Sequence, residues 1–264
     1  MATADRSDGW AALDAELGQW QQDGQTPTFW WRDDDARAPS PALDQLLALS
    51  DRHAVPVHLS VIPDGLSPDL APRLHRAGQV LVLQHGFAHR NHEPPGSGAS
   101  EFGASRAAEA MRADLLSGWR ILCAAGLPHL QKVLAAPWNR LGARALQILS
   151  DEGYVAVSGF PDRVDAQAPL PQVHIHVDPI RWRAGPRFRG TRSTLNTLVS
   201  HLHARRTGTV PRDQATGLAT HHLQTDPESW VFLDRLLQRL TRPETTAWPT
   251  LPQMLHQGGL RPNG

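Results

Sequence analysis

Short apolar runs alternate along the chain with segments in which apolar residues recur every three or four positions. Several runs have almost no polar residue, as in V-L-V-L-Q at 80–84, which is typical of strands buried on both faces. Strands are predicted at 28–32, 55–62, 80–84, 132–136, 154–158, 173–177 and 217–220. Helices are predicted at 40–53, with Ser40 as N-cap, and at 67–77, 105–125, 140–152, 191–206 and 227–240.

The order of these elements predicts an α/β fold. Seven strands separated by helices in 264 residues fit a closed or nearly closed β/α barrel better than an open sheet. An amphipathic helix at 10–22 precedes the first strand. We therefore expect an N-terminal helix within residues 1–25 that packs on the barrel, and a single catalytic barrel domain over 26–264. In either architecture the functional site lies at the carboxyl ends of the strands.

Composition restricts the partners of the protein. The 26 basic and 26 acidic residues cancel, so the overall charge favours neither a nucleic acid nor an anionic membrane. No run approaches the roughly 18 apolar residues of a membrane span, and no signal sequence is recognisable. With Cys123 as the only cysteine, we expect a cytoplasmic protein without a nucleic-acid partner; its oligomeric state is not predicted.

Three adjacent carboxylates, Asp33, Asp34 and Asp35, follow Arg32 at the end of the first predicted strand. Adjacent carboxylates repel one another, so a fold keeps such a cluster mainly where a cation or a raised pKa neutralises part of the charge. A solvated acidic turn that caps the next helix is the alternative interpretation.

Two histidines, His85 and His89, follow the third predicted strand at a spacing of four residues. Their imidazoles can approach one metal ion from one side of a helical turn. A site made of these two histidines and one carboxylate from the first strand is stereochemically reasonable. Two surface histidines are the alternative.

The later strand ends carry further candidates. Pro-Trp-Asn at 137–139 would shape a pocket wall or pack on the barrel rim. The H-I-H-V-D sequence at 174–178 places two histidines and an aspartate on one face, which we interpret as a polar strand face in preference to a second metal site. The seventh strand ends at His221 and His222, where an imidazole could act as an acid or a base.

In this order, the strand ends resemble the polysaccharide deacetylase family, carbohydrate esterase family four, whose members are metal-dependent N-deacetylases. The likeness covers the chain from about Thr28 onward. The chemical motifs of the family are an Asp-Asp pair, a His-x-x-x-His and a late Leu-x-x-His. They are similar here to D-D at 34–35, H-G-F-A-H at 85–89 and L-A-T-H at 218–221. The resemblance implies a distorted seven-stranded (β/α) barrel.

The resemblance also implies roles for individual residues. Three would bind a divalent metal ion: Asp35, His85 and His89. Asp34 would be the general base and His221 the general acid. Asp33 could shift the acidic pair by one position, and His222 is the second candidate for the acid. We expect Zn²⁺, with Ni²⁺, Co²⁺ or Fe²⁺ as alternatives of similar ligand preference.

The chain departs from the family in two motifs. The third motif usually has Arg two residues before its proline, where this chain has Ala135. The fourth usually has Asp before a tryptophan, where this chain has Arg181 before Trp182. We expect Arg181 to supply the missing guanidinium as a catalytic residue, with Asp178 or Asp34 as its partner. A rim residue in a re-tuned or degraded site is the alternative.

Five arginines lie within 181–192, interleaved with two aromatic residues. A solvated loop is one interpretation; a phosphate clamp that includes Arg187 and Arg189 is another, since Arg binds phosphate through paired hydrogen bonds. The implied substrate is an N-acetylated sugar, with nucleotide-linked and lipid-linked sugars as candidates. Four residues are expected to contact it: Trp138, Asn139, Trp182 and His222.

The sequence therefore predicts a metal-dependent carbohydrate deacetylase, a hydrolase acting on C–N bonds other than peptide bonds. One alternative is a metal-dependent hydrolase of a non-sugar amide or a phosphate ester on the same fold. Another is a binding protein that retains the metal without catalysis, which the missing arginine of the third motif suggests.

Overall fold

The computed structural model describes residues 8–164, 169–242 and 245–256. The strands within these ranges are β1 (Phe29–Ala36), β2 (Val57–Val61), β3 (Val80–His85), β4 (Leu130–Ala135), β5 (Ala156–Ser158), β6 (Ile180–Arg181), β7 (Arg187–Phe188) and β8 (Thr216–Thr220). The helices are α1 (Asp8–Gln22), α2 (Pro41–His53), α3 (Leu70–Leu74), α4 (Ala108–Ala124), α5 (Ala143–Asp151), α6 (Thr191–Arg206), α7 (Pro227–Leu240) and α8 (Leu251–His256). Short 3-10 turns, Pro137–Asn139 and His222–Gln224, follow β4 and β8.

Six strands form one parallel sheet in the order β5-β4-β3-β2-β1-β8, which curls into a half-barrel with flanking helices. Every residue of β2, β3 and β8 is buried, as expected when helices cover the outer face and side chains fill the inner one. The predicted β/α barrel class is confirmed. Parallel pairing brings the carboxyl ends of β1, β3, β4 and β8 to one end of the half-barrel.

The strand predicted at 173–177 is not a regular strand, so the sheet has six strands instead of seven. This segment makes isolated bridges to both edge strands, Gln172 to Val157 of β5 and Val177 to Leu218 of β8. Pro171 and Pro179 flank it and cannot donate to a ladder. The segment therefore spans the gap between the two edges without extending the sheet.

Most predicted helices have nearly the bounds found in the structure. Ser40 caps α2 as expected, because its Oγ accepts a hydrogen bond from Leu43 N at 3.0 Å. The helix predicted at 67–77 is reduced to the five residues of α3, in a segment that contains Pro68 and Pro72. No helix in the described ranges is long and apolar enough to cross a membrane.

α1 packs on the half-barrel through its apolar face. Trp10, Leu13 and Leu17 belong to the same buried cluster as residues of β1, α2, α6 and α7, and the Trp10 ring centroid lies 5.7 Å from that of Phe232. The predicted boundary between the N-terminal helix and the barrel domain, at residue 25, falls in the connection between α1 and β1. The division of the chain into these two units stays a prediction. Its outer ends, 1–7 and 257–264, lie outside the described residues.

Candidate active site

Asp35, His85 and His89 converge where β1 and β3 end. Asp35 Oδ1 lies 3.2 Å from His85 Nε2 and 3.4 Å from His89 Nε2. One donor atom from each of the three residues lies within 4.8 Å of the others. Within the described ranges, no other group of three such residues meets this condition.

Unusual backbone conformations shape this end of the half-barrel. Asp35 has φ +72°, where the register between β1 and β2 shifts, and His89 has φ +55°. Trp138 and Asn139, which follow β4, have φ +52° and +58°. Left-handed conformations at residues other than glycine cost about 1–3 kcal/mol each and cluster at functional sites.

The three donor groups fit a divalent metal ion. The His85 Nδ1 atom lies 3.0 Å from Ala135 O, so Nδ1 donates to that carbonyl and Nε2 is the nitrogen that faces Asp35 Oδ1. Asp35 Oδ1 is buried without a hydrogen-bond partner although two imidazole nitrogens lie close, and a cation between them would satisfy it. Burial, with His85 as the second cause, lowers the pKa of His89 to about 4, which keeps that ring neutral at pH 7.

Asp34 lies fully buried beside this cluster, two residues after Arg32 on β1. Arg32 Nη2 donates to Asp34 Oδ2 at 2.7 Å, and the guanidinium also donates to Asn139 Oδ1 and Ser158 Oγ. Burial raises the pKa of Asp34, but the Arg32 charge and nearby imidazoles outweigh it and hold the pKa below its ordinary value. Asp34 Oδ1 is buried and has no hydrogen-bond partner, so one oxygen is left to accept a proton.

The expectation that Arg181 partners Asp34 or Asp178 is wrong. Arg181 is exposed on the two-stranded hairpin of β6 and β7, and the guanidinium that contacts Asp34 belongs to Arg32. Asp178 instead accepts hydrogen bonds from Trp182 Nε1 and from a backbone N–H. The signal for Arg32 was present in the sequence, since residues two apart on a strand share a face.

The two late histidines lie in different surroundings. His221 Nε2 is 3.7 Å from Asp34 Oδ2. His222 Nδ1 is 2.5 Å from Asp33 Oδ1; burial opposes protonation there, but the Asp33 carboxylate outweighs it and raises the pKa of His222. Asp33 Oδ2 also accepts from Thr220 Oγ1 and His222 N, so both its oxygens are engaged away from the metal-ligand cluster.

A cleft of about 390 Å³ contains the candidate metal ligands. It is lined by Asp34, Asp35, His85, His89, Trp138, Asn139, Phe160, Arg163, Asp178, Ile180, Trp182, Arg189 and His221. Of the predicted substrate contacts, Trp138, Asn139 and Trp182 are thus in the cleft. His222 is not among the cleft residues; it lines a neighbouring groove that also touches Asp35 and His89.

The candidates at 174–178 do not come together. His174 lines another cavity, of about 410 Å³, near the start of β1 and β8. The His176 ring stacks on His201 with centroids 3.7 Å apart, and Asp178 lines the cleft that contains the candidate metal ligands. Within the described ranges this segment holds no second metal site, and it is not a regular strand.

Phe160 and Arg163 also line the cleft, but the sequence does not predict them as site residues. They follow β5 in a connection where neither hydrophobic period nor motif marks them. The two arginines of the predicted phosphate clamp lie in different surroundings. Arg189 lines the cleft, whereas Arg187 lies exposed on β7.

Sequence comparison identifies no relative, because no family model and no curated protein matches the chain. Solved structures do match. A protein from Mycobacterium smegmatis assigned as a polysaccharide deacetylase superposes with a TM-score of 0.66 at 16% identity, covering 89% of this chain and 90% of that chain.

Two further structures cover a similar share of this chain. A family 4 acetyl xylan esterase from Clostridium thermocellum, in complex with a cobalt ion, gives a TM-score of 0.53 at 12% identity, covering 89% of this chain and 93% of that chain. A family 4 pseudoenzyme from Bacillus anthracis gives 0.58 at 14% identity, covering 87% of this chain and 66% of that chain. At such identities the matches establish a shared fold, as the strand-end motifs predicted, and the activity has to be argued from the residues.

Proposed function

Because the chain has the fold of the family four carbohydrate esterases, we propose that it is a metal-dependent hydrolase that removes an N-acetyl group from a sugar or glycan. The proposal rests on one observation: three candidate metal ligands share a cleft with Asp34 and His221. Deacetylase and acetyl esterase structures with this fold support the reaction class.

Asp35 Oδ1, His85 Nε2 and His89 Nε2 are the proposed metal-binding atoms. When bound, a divalent ion would polarise the substrate carbonyl and lower the pKa of a water molecule. Zn²⁺ is the default for two imidazoles and a carboxylate, with Ni²⁺, Co²⁺ and Fe²⁺ as alternatives. The cobalt complex of the acetyl xylan esterase supports a metal of this group.

Asp34 is the proposed general base. Arg32 holds its Oδ2, and Oδ1 has no hydrogen-bond partner within the described structure. Because the Asp34 pKa is held below its ordinary value, the carboxylate is ionised at neutral pH and can take the proton of the attacking water on Oδ1.

His221 is the proposed general acid. As the amide C–N bond breaks, the leaving nitrogen would take a proton from His221 Nε2, the atom 3.7 Å from Asp34 Oδ2. His222 is the weaker candidate, because its Nδ1 is engaged with Asp33 and it lies outside the cleft lining.

Acetate release by the Zn²⁺-loaded protein tests this function, with N-acetylglucosamine oligomers and a nucleotide-linked N-acetyl sugar as substrates. We expect turnover in the wild type and loss of both metal and turnover in His85→Ala. A wild type that binds Zn²⁺ but releases no acetate from either substrate would support the alternative of a binding protein, the situation suggested by the pseudoenzyme of this fold.

The acetylated sugar is further proposed to carry a phosphate, as in a nucleotide-linked or lipid-linked sugar. Arg189 donates from Nη1 to Asp178 O at 3.1 Å and from Nε to Ser193 Oγ at 3.3 Å. These bonds fix its guanidinium at the cleft while Nη2 has no partner among the described residues. A phosphate oxygen would supply one.

Arg187 provides the matched control for this contact, since it is exposed and outside the cleft lining. Arg189→Gln should raise KM for a diphosphate-linked sugar about tenfold, the worth of one hydrogen bond to a charged group. KM for a neutral oligomer should stay unchanged, and Arg187→Gln should alter neither. An equal effect of Arg189→Gln on both substrates would contradict the phosphate contact.

A further inference from the structure

Glu101 is a buried carboxylate that the proposed chemistry does not use. It lies in the connection between β3 and α4 and is fully excluded from solvent. No ion pair to it is found in the described part of the chain. A buried, unpaired carboxylate is costly unless hydrogen bonds satisfy its oxygens, so its partners indicate why it is there.

Those partners are backbone N–H groups of the segment that carries His89, one of the three candidate metal ligands. Glu101 Oε1 accepts from Ala88 N at 2.8 Å and, at a longer 3.5 Å, from Arg90 N. Oε2 accepts from Phe87 N at 3.1 Å. Hydrogen bonds to an ionised acceptor are about twice as strong as those between neutral groups, and these bonds bracket His89.

Gly86 shows how closely the carboxylate fits against this segment. Its φ is +61°, a region open to glycine and costly for other residues. A Cβ built on Gly86 would overlap Glu101 Oε2 and the Pro137 ring. The missing side chain at position 86 therefore leaves the space that the Glu101 carboxylate occupies.

The carbonyl groups of the same segment are held by other residues. Gln84 Nε2 donates to Gly86 O at 3.0 Å, and Arg37 Nη2 donates to Ala88 O at 2.9 Å. His85 is fixed separately through the contact of its Nδ1 with a β4 carbonyl. Loss of the Glu101 carboxylate would thus free the N–H side of the segment and leave the strand end and His85 in place.

We propose that Glu101 is a positioning residue of the metal site, which sets the backbone conformation at 86–90 and thereby brings His89 Nε2 to His85 and Asp35. This inference rests on the proposed function, because it presupposes that these three residues bind a metal ion. Glu101 would act through the backbone, since it is not among the residues that line the cleft.

Glu93 offers a matched control. It is a glutamate of the same connection, and its carboxylate accepts from Ser105 N at 3.0 Å and Ser105 Oγ at 2.8 Å. It therefore also binds a backbone N–H group. That group belongs to Ser105, which is remote in sequence from the candidate ligands. Glu101→Gln and Glu93→Gln each remove one negative charge and keep the side-chain size.

The test is calorimetric titration of the metal-free proteins with Zn²⁺, together with the visible spectrum of the Co²⁺-loaded proteins. We expect Glu101→Gln to bind Zn²⁺ about ten- to hundredfold more weakly, the usual effect of losing a residue that orients a ligand, and to show an altered Co²⁺ spectrum. Glu93→Gln should match the wild type in both. Urea unfolding of the metal-free proteins should give similar midpoints for the two variants.

Three results would overturn the inference. Equal Zn²⁺ affinity and an unchanged Co²⁺ spectrum in Glu101→Gln would overturn it while leaving the proposed function standing. Weaker binding explained fully by a loss of folded protein would reduce Glu101 to a stability role. A wild type that takes up no Zn²⁺ would overturn both this inference and the proposed function. If Glu101→Gln does not fold, Glu101→Asp keeps the charge but withdraws it by one methylene, and should weaken Zn²⁺ binding in the same assays.

Discussion

At the residue scale, the ion-pair partner of Asp34 is the buried guanidinium of Arg32, on the same strand. Arg32→Gln would leave Asp34 buried without its cation, which costs about 3–5 kcal/mol of unfolding free energy, and would remove the hydrogen bond at 2.7 Å that orients the proposed base. We expect lower stability by urea unfolding and a lower kcat in the protein that still folds. Arg181→Gln, an exposed change, should affect neither; a loss of kcat there would restore the overturned role of Arg181.

The neighbouring carboxylates Asp33 and Asp34 should respond differently to the same substitution. Asp34→Asn should lower kcat about 10²- to 10⁴-fold, the usual contribution of a general base, with Zn²⁺ binding retained. Asp33→Asn removes the partner of His222 and Thr220, so it should mainly lower the unfolding free energy. Steady-state kinetics and denaturation of both variants check the assignment, and the reverse pattern would shift the acidic pair to Asp33–Asp34.

The sequence predicted those site residues that belong to local patterns. His85 and His89 stand four apart after an apolar strand, and the acidic run ends another, so their convergence at one sheet edge followed from parallel pairing. Arg32 was present in the same pattern but was passed over in favour of Arg181. Glu101 could not be predicted, because its role depends on a loop that folds back on residues 11 to 14 positions away.

At the element scale, the six strands of the parallel sheet were predicted. One further strand was predicted at 173–177, where no regular ladder forms, and the short paired strands β6 and β7 were not predicted. The run at 173–177 has the composition of a strand, yet Pro171 and Pro179 bound it and it makes only isolated bridges to β5 and β8. α8 has six residues, too few for a helical period to show. Apolar composition thus identifies segments that are buried. Whether such a segment pairs as a strand depends on the backbone N–H groups available at the ends of the segment.

The docking of α8 gives a prediction for pH dependence. His58 on β2 is fully buried, with Nδ1 2.9 Å from Trp31 O and Nε2 accepting from Leu251 N at the start of α8. Burial lowers its pKa to about 4, from 6.5. Because the folded state binds its proton less readily, the stability that depends on neutral His58 is complete above pH 6.5 and is lost as the pH falls toward 4.

His58→Gln isolates this contribution from those of the other titrating groups. Wild type and variant should differ most in unfolding free energy at pH 7, and the difference should shrink by about 1.4 kcal/mol for each pH unit below 6.5. Urea unfolding at pH 7 and pH 5 measures it. A difference that stays constant between these pH values would show that His58 does not couple protonation to the seating of α8.

At the scale of the whole molecule, the candidate metal ligands connect parts of the sheet that are distant in sequence. Asp35 ends β1, and His85 ends β3 with β2 between them. A site that binds a metal ion through both residues forms only in the folded protein. The free energy of metal binding therefore adds to the stability of the entire half-barrel.

Zn²⁺ should therefore raise the melting temperature of the protein. At a free concentration 100 times the Kd, the added stability is about 2.7 kcal/mol, which corresponds to an increase of about 5–10 °C for a domain of this size. Scanning calorimetry with Zn²⁺ and with a chelator measures the effect, and His85→Ala should abolish it. The control matters because the chain has 14 histidines: an equal shift in His85→Ala would place the stabilising ion elsewhere and would remove the metal from the proposed site.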